Sequence, residues 1–395
     1  MSSYWKVYIL ALVSFLVGTS EYVIAGILDK IAVSLSISLV AAGQLITVFS
    51  IVYAFGTPLL IALTSRWERR KLLLSGLILF ILANVLVYAL PGFTWFLVAR
   101  VVMALGAGIV VVTALTIASS IAPQGKQGSA IATVIMGFTA SLIIGVPIGR
   151  IVAAHYDWKI IFGVVVLLSL AAIIVLRVTI PPTPNASSIP LRQQLAVLRS
   201  RKIVLAFAIS FFWLVGYSIA YTYISPFLLE VTGMNEQNLS VALFLFGIAS
   251  LIGSKLGGYG TDRWGVYYTL ISGMVLHALA LLLLSITNLS PILVFASLML
   301  WSFAAWSSGP SQQFNLVAIA PESASILLSL NSSVMQLAMA AGAGMGGLVI
   351  ETVSLRSVMW IGAIGVALAA GIVMLSFRSA PSSRLSAVDH NGTLH

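Results

Sequence analysis

The chain has 395 residues, of which 60% are hydrophobic and 8% are charged, and its net charge is +10. A soluble domain carries about three times that share of charged residues, so this composition predicts a membrane protein. The absence of cysteine from the sequence excludes disulfides, iron–sulfur clusters and thiol catalysis.

Apolar runs of about twenty residues, the length of a helix that crosses a bilayer, fill almost the whole chain. Charged, proline and polar clusters divide these runs into twelve predicted spans, numbered 1 to 12, so the predicted fold is all-α. The predicted limits are 7–28, 41–64, 71–90, 94–121, 129–152, 159–180, 202–226, 239–260, 267–287, 291–316, 324–349 and 355–377. The first run is longer than a cleaved signal peptide, so it is read as a retained helix.

The basic residues predict the orientation of the spans. Most of them fall on the side shared by both termini, whereas Lys30, Lys159 and Arg356 lie at the edges of the opposite side. By the positive-inside rule, both termini are predicted to be cytoplasmic. The positive net charge is then an orientation signal, and no nucleic-acid partner is expected.

The sequence repeats itself at about half its length. An Arg-Trp pair follows span 2 at Trp67 and span 8 at Trp264, 197 positions later, and an Ile-Ala-Pro turn begins at Ile121 and at Ile319, 198 positions later. A parallel repeat of this kind is typical of transporters that rock two bundles around a central site. The sequence therefore predicts two pseudo-symmetric bundles of six helices.

The longest connection divides the predicted bundles. Residues 181–201 are rich in proline and serine and then basic, which predicts a cytoplasmic linker between an N-terminal bundle, 1–180, and a C-terminal bundle, 202–378. Residues 379–395 are polar and are predicted to form a disordered tail.

The turn motifs resemble those of the major facilitator superfamily. In "TSRWERRK" after span 2, Arg66, Arg69 and Arg70 match the family's G-x-x-x-D-R-x-G-R-R/K, and the copy after span 8 keeps Asp262 and Arg263. Ser65 stands where the family has Asp. The resemblance implies that these two turns gate the cytoplasmic side.

Further motifs resemble the twelve-span drug:proton antiporter branch of that family. Span 4 contains "RVVMALGAG" with Arg100, and span 5 contains "GVPIGR", whose Gly145, Pro147 and Gly149 resemble the antiport motif. The segments "YTYISPFL" and "PSQQFNLVAIAP" in spans 7 and 10 are similar to the multidrug, sugar and purine efflux subgroup. The resemblance thus implies the major facilitator fold and assigns gating to the three span 5 residues.

The function that the resemblance implies is proton-coupled efflux of small organic molecules, drug-like and neutral or cationic, by alternating access. The chain is then not an enzyme, has no cofactor besides the coupling proton, and works as a monomer in a bacterial cytoplasmic membrane. Its expected partners are the lipid bilayer and a small-molecule substrate. Efflux of purine bases or nucleosides stays open as an alternative, and uptake and a non-transporting membrane sensor are less favoured.

Glu21 is a carboxylate inside predicted span 1. At a bilayer centre, an acidic residue costs roughly 2.5–3.5 kcal/mol on insertion scales, so it requires an explanation. Ser14, Gly18 and Ala25 share its helix face, which favours helix packing or a cavity over lipid. Arg100 is predicted at a similar depth and is expected to come close. Glu21 is either a structural partner or, as the resemblance favours, the proton-carrying and substrate-binding carboxylate, with Arg100 part of the coupling.

Other polar and aromatic residues are candidates for the substrate pocket. Trp213, Tyr217 and Tyr221 repeat every four residues and predict one aromatic stripe on span 7. With Glu21, the predicted pocket also contains Gln44, Phe138, Trp306, Gln313, Asn331 and Gln336. Ordinary helix packing is the alternative for about half of these positions. No metal site is expected, and Arg150 is expected to pair with a neighbouring loop or to gate the exit.

Overall fold

The computed structural model describes residues 4–64, 66–123, 126–182, 197–286 and 290–378. Within these ranges the regular structure is helical. Most of the predicted linker and the predicted tail, together with Ser65 of the first turn motif, lie outside the described residues.

Spans 1 to 6 form the N-terminal bundle. Span 3 packs on spans 4 and 6, span 4 also packs on span 2, and span 1 packs on span 5. The helices are Tyr4–Gly26 (span 1), followed by the short helix Leu28–Leu35, then Leu39–Leu63 (span 2), Arg69–Ala89 (span 3), Phe93–Ile121 (span 4), Gln127–Ala140 and Val146–His155 joined by the π-helical Ser141–Gly145 (span 5), and Lys159–Thr179 (span 6).

Spans 7 to 12 form the C-terminal bundle, in which span 7 packs on spans 11 and 12. The helices are Arg201–Tyr221 (span 7), continued by Ile224–Pro226 and the π-helical Phe227–Val231, Glu236–Ser285 (spans 8 and 9), Pro291–Ile319 (span 10), Ala324–Thr352 (span 11) and Ser357–Arg378 (span 12).

Spans 8 and 9 meet at Gly265. The helical segment Glu236–Ser285 has 50 residues, which as one straight helix measures about 75 Å, far more than a bilayer of about 30 Å. At Gly265 the backbone has φ 84° and ψ 165°, a conformation that glycine adopts without the steric cost of a Cβ. The helix breaks there, so the eleven helices that are long and apolar enough to cross a membrane in the described chain supply the twelve predicted spans.

An even number of spans places both ends of the chain on one side. We call this the terminal side and the opposite one the far side. Span 2 packs along span 11 between the bundles, with Val40 against Gly347 and Thr47 facing Gly344. Because span 2 begins and span 11 ends on the far side, these contacts lie in the far-side half of the molecule.

Candidate functional site

Glu21 lies at the interface between the two bundles. The residue is 7% exposed, and its Oε1 accepts a hydrogen bond of 2.9 Å from Nε2 of Gln336 on span 11. Among the described residues, its Oε2 has no hydrogen-bond partner. The carboxylate therefore binds the opposite bundle through one oxygen and keeps the other available.

The small-residue face of span 1 is buried, as the sequence predicts. Ser14 is 0% exposed and Ala25 is 2% exposed, and Gly18 lies against Ser141 of span 5. This packing fixes the rotation of span 1 and turns Glu21 away from lipid.

A small cavity lies beside Glu21, where the two bundles meet. Charged, hydroxyl and aromatic residues line it, and they come from both bundles. Its lining residues are Glu21, Tyr22, Ala25, Ile46, Phe49, Ser50, Arg100, Tyr221, Thr222 and Met339.

Arg100 shares this cavity with Glu21 but is held by backbone carbonyls. Its Nε donates to Leu45 O at 3.0 Å and its Nη1 to Ser20 O at 3.1 Å, and the guanidinium carbon lies 4.2 Å from the centre of the Phe49 ring. Its Nη2 has no hydrogen-bond partner among the described residues. Glu21 and Arg100 therefore line the same cavity, as expected, and each keeps one polar atom without a hydrogen-bond partner among the described residues.

A second group of residues supports the site from behind. Ser20 Oγ donates to Asn84 Oδ1 at 2.8 Å, and the sulfur of Met103 accepts from Ser20 and from Arg100, each at 3.3 Å. The sequence alone predicts no function for Ser20, Asn84 or Met103. Asn84, a buried amide in an apolar span, is the one whose residue type signals a polar partner.

The predicted aromatic stripe on span 7 is present and reaches the cavity through Tyr221. Tyr217 stacks on Tyr221 with ring centres 5.0 Å apart and meets Trp306 edge-on at 6.1 Å. In the other bundle, Phe138 packs edge-on against Tyr22, at 5.5 Å. The structure thus brings Phe138, Tyr217 and Trp306 next to the cavity lining without placing them in it.

Four predicted pocket residues lie elsewhere. Trp213 is buried within the C-terminal bundle, and Asn331 donates to the sulfur of Met335 at 3.4 Å. Gln44 is half-buried on span 2, and Gln313 is exposed. None of the four lines the cavity.

Gln312, not Gln313, is the buried glutamine of span 10. Its Nε2 donates to Ala206 O and to Ser210 Oγ, and its Oε1 accepts from Asn315 at 3.3 Å. Neighbouring residues on an α-helix point about 100° apart, so Gln313 lies on a different face of span 10 from Gln312. Gln312 ties span 10 to span 7 within one bundle.

The turn after span 2 is anchored inside its own bundle. Arg70 donates to Ile180 O at 3.0 Å and to Arg177 O at 3.5 Å, and Arg69 is buried. These contacts join the start of span 3 to the end of span 6. The gating function implied for Arg66, Arg69 and Arg70 stays a prediction.

The turn after span 8 is open to solvent. Asp262 and Arg263 are both exposed, and Arg263 donates to the hydroxyl of Tyr259 at 2.8 Å. That contact lies within span 8, so the gating assigned to Asp262 and Arg263 also stays a prediction.

The predicted Gly/Pro motif allows spans 1 and 5 to touch. A Cβ at Gly145 would lie 2.4 Å from Thr19 Oγ1, and one at Gly149 would lie 2.3 Å from Val23 Cγ2. A proline ring crowds the preceding turn of an α-helix and removes an N–H donor. The turn that precedes Pro147 is the π-helical Ser141–Gly145. The motif therefore sets close helix packing behind Glu21, and its gating function stays a prediction.

Two six-span helical bundles that meet around a cavity have the architecture of a secondary membrane transporter. The chain belongs to the major facilitator superfamily, because residues 10–343 match the Major Facilitator Superfamily domain.

Relatives of the same type support this assignment. The chain is 58% identical to the uncharacterized MFS-type transporter YbcL of Bacillus subtilis (strain 168) over 389 residues, which cover 98% of this chain and 100% of that protein. It is 28% identical to the uncharacterized MFS-type transporter YtbD of the same organism, over 90% of this chain and 91% of that protein.

Solved transporters share the fold. A crystal structure of a D-xylose–proton symporter has a TM-score of 0.80 at 16% identity and covers 97% of this chain and 99% of that chain. A bacterial homologue of the human lysosomal transporter Spinster has a TM-score of 0.78 at 17% identity and covers 95% of this chain and 97% of that chain.

Proposed function

We propose that this transporter is a proton-coupled efflux antiporter that exports small organic molecules, neutral or cationic, across a bacterial cytoplasmic membrane. The observation that carries the proposal is the position of Glu21. Its carboxylate lies in a buried cavity between the bundles, with one oxygen bound to Gln336 of the opposite bundle and the other unpartnered.

A carboxylate in this position can exchange a proton for a substrate. Burial favours the protonated form of a carboxyl group, whereas a nearby cation favours its ionised form. A bound cationic substrate therefore competes with the proton for Glu21. If the cavity opens to one side of the membrane and then to the other, this competition exchanges a substrate for a proton, which is antiport. One charge that crosses 100 mV supplies about 2.3 kcal/mol, which exceeds a tenfold concentration ratio.

The orientation and the assembly are part of the proposal. With both termini in the cytoplasm, the far side of the structure is the outside of the cell. The proposed transporter works as a monomer, and its only cofactor is the coupling proton.

Efflux of purine bases or nucleosides is a second candidate. Three aromatic side chains, Tyr22, Phe49 and Tyr221, line the cavity together with Glu21. Flat heteroaromatic rings stack on such side chains while a carboxylate accepts their N–H groups.

The test uses purified protein in liposomes with an imposed proton gradient and a panel of labelled cationic drugs, neutral drugs and purines. Wild type is compared with Glu21→Gln and with Glu351→Gln, the same change at an exposed far-side carboxylate. We expect Glu21→Gln to lose gradient-driven transport and to keep substrate counterflow, and Glu351→Gln to behave as wild type. Equal gradient-driven transport by wild type and Glu21→Gln would refute the assignment of Glu21.

A further inference from the structure

Four charged residues cluster on the far side of the molecule, where the two bundles meet. Arg150 Nη1 lies 2.5 Å from Asp29 Oδ1, and Arg150 Nη2 lies 2.5 Å from Glu236 Oε2. Glu236 Oε1 also pairs with Lys30 Nζ at 2.6 Å. We call Asp29, Lys30, Arg150 and Glu236 the far-side ion cluster.

The cluster joins the bundles through one residue. Asp29, Lys30 and Arg150 belong to the N-terminal bundle, whereas Glu236 is the first residue of span 8 in the C-terminal bundle. The ion pairs of Glu236 with Arg150 and Lys30 thus cross the interface, and the pair of Arg150 with Asp29 does not.

Arg150 is the centre of the cluster and is 0% exposed. It also donates to Gly26 O at 3.2 Å. Next to it, Ser225 of the C-terminal bundle donates to Ala25 O and Gly26 O, at 3.0 and 2.9 Å. The end of span 1 is therefore bound to the opposite bundle at the same level as the cluster.

We propose that the far-side ion cluster is a reversible latch of the transport cycle, in which Glu236 holds the far side closed and Asp29 keeps Arg150 paired when it opens. A buried cation left without a partner is strongly unfavourable. Because Asp29 stays with Arg150 in the same bundle, separation of the bundles breaks the contact to Glu236 without leaving the guanidinium alone. The latch acts on access to the cavity, so it does not depend on which substrate or ion the transporter carries.

The two carboxylates of the latch have opposite effects. Glu236→Gln removes the attraction of Arg150 and Lys30 across the interface and favours the open far side. Asp29→Asn leaves Arg150 dependent on Glu236 and removes the repulsion between the two carboxylates, so it favours the closed far side. A cluster that only stabilised the fold would not give opposite shifts.

Distance measurements between spin labels test the latch directly. The sequence has no cysteine, so labels at Ser34→Cys and Val353→Cys, one exposed position in each bundle at the far side, need no background substitutions. A second pair, Gln127→Cys and Tyr268→Cys, reports the terminal side. Pulsed electron–electron double resonance is recorded in lipid nanodiscs at one pH and without substrate.

We expect Glu236→Gln to raise the ratio of far-side-open to far-side-closed molecules about tenfold, equal to about 1.4 kcal/mol, because it removes the charge that pairs with both Arg150 and Lys30 across the interface. Asp29→Asn should lower the ratio, and the terminal-side pair should change in the opposite sense for each variant. Glu230→Gln removes an exposed charge from the same side of the C-terminal bundle and should give the wild-type distribution.

Two results would overturn the latch. One is a Glu236→Gln distribution equal to that of Glu230→Gln, and the other is a shift of Asp29→Asn and Glu236→Gln in the same direction. If Glu236→Gln does not fold, Lys30→Met removes one of the two crossing ion pairs and must shift the ratio in the same direction by a smaller factor. Glu21→Gln transport is measured separately, so failure of the latch and failure of the proposed antiport are distinguishable.

Discussion

Glu21 of span 1 and Gln336 of span 11 are joined by a hydrogen bond of 2.9 Å across the interface between the two bundles. The bond connects the carboxylate that is costly in an apolar span to the opposite bundle.

Replacement of Gln336 by Leu should impair gradient-driven transport by about tenfold or more. Leucine keeps most of the volume but removes the donor to Glu21, and a hydrogen bond to a charged group contributes about 1.5–3 kcal/mol. Initial rates in liposomes measure the effect. Gln313→Leu is the matched control, since the same change at an exposed amide should leave the rate unchanged, and equal rates for the two variants would contradict the prediction.

Replacement of Arg100 by Lys should lower both stability and transport although the positive charge is kept. The guanidinium binds Leu45 O and Ser20 O at once, and an ammonium group does not reproduce that planar fork of donors. A melting curve in detergent, read from tryptophan fluorescence, and a transport assay measure the two effects. Arg177→Lys, the same exchange at an exposed position, provides the comparison, and wild-type melting of Arg100→Lys would refute the assigned contacts.

A side chain at position 149 should destabilise the packing of spans 1 and 5. The added Cβ of Gly149→Ala would lie 2.3 Å from Val23 Cγ2, and overpacking of this kind costs about 1–3 kcal/mol. Melting temperature measures the loss. In the double variant with Val23→Ala the clashing methyl group is absent, so the loss should be largely restored.

The control for that series is Gly258→Ala, where no atom lies within 4 Å of the added Cβ. It should be neutral or slightly stabilising, because alanine favours a helix over glycine by about 1 kcal/mol. Additive effects of Gly149→Ala and Val23→Ala would show that the two side chains do not meet.

Binding of a cationic substrate should strengthen as pH rises. A proton and a cation compete for the ionised Glu21, so the Kd of the cation falls with increasing pH while Glu21 loses its proton, by at most about tenfold per pH unit for one proton. Tryptophan quenching titrations over a pH series measure Kd. Glu21→Gln should bind with a Kd that does not change with pH, and a wild-type slope in that variant would place the competing proton elsewhere.

The sequence determined the parts of this protein that depend on local composition. The twelve spans follow from the length and hydrophobicity of each segment, and the turn at Gly265 falls between the predicted spans 8 and 9. Glu21 stands out because a carboxylate in an apolar segment is costly wherever that segment packs. The half-length repeat indicated the two-bundle fold without any knowledge of contacts.

Which side chains meet depends on how the helices pack in three dimensions. The rotation of helices that are far apart in sequence decides that Gln336 is the partner of Glu21, that Gln312 rather than Gln313 is the buried glutamine, and that Arg150 pairs with Glu236. The sequence of an apolar helix does not show which of its faces contacts protein, because its lipid and protein neighbours are equally apolar. Contacts between the bundles depend in addition on which side of the transporter is closed, a property of the conformation and not of any single segment.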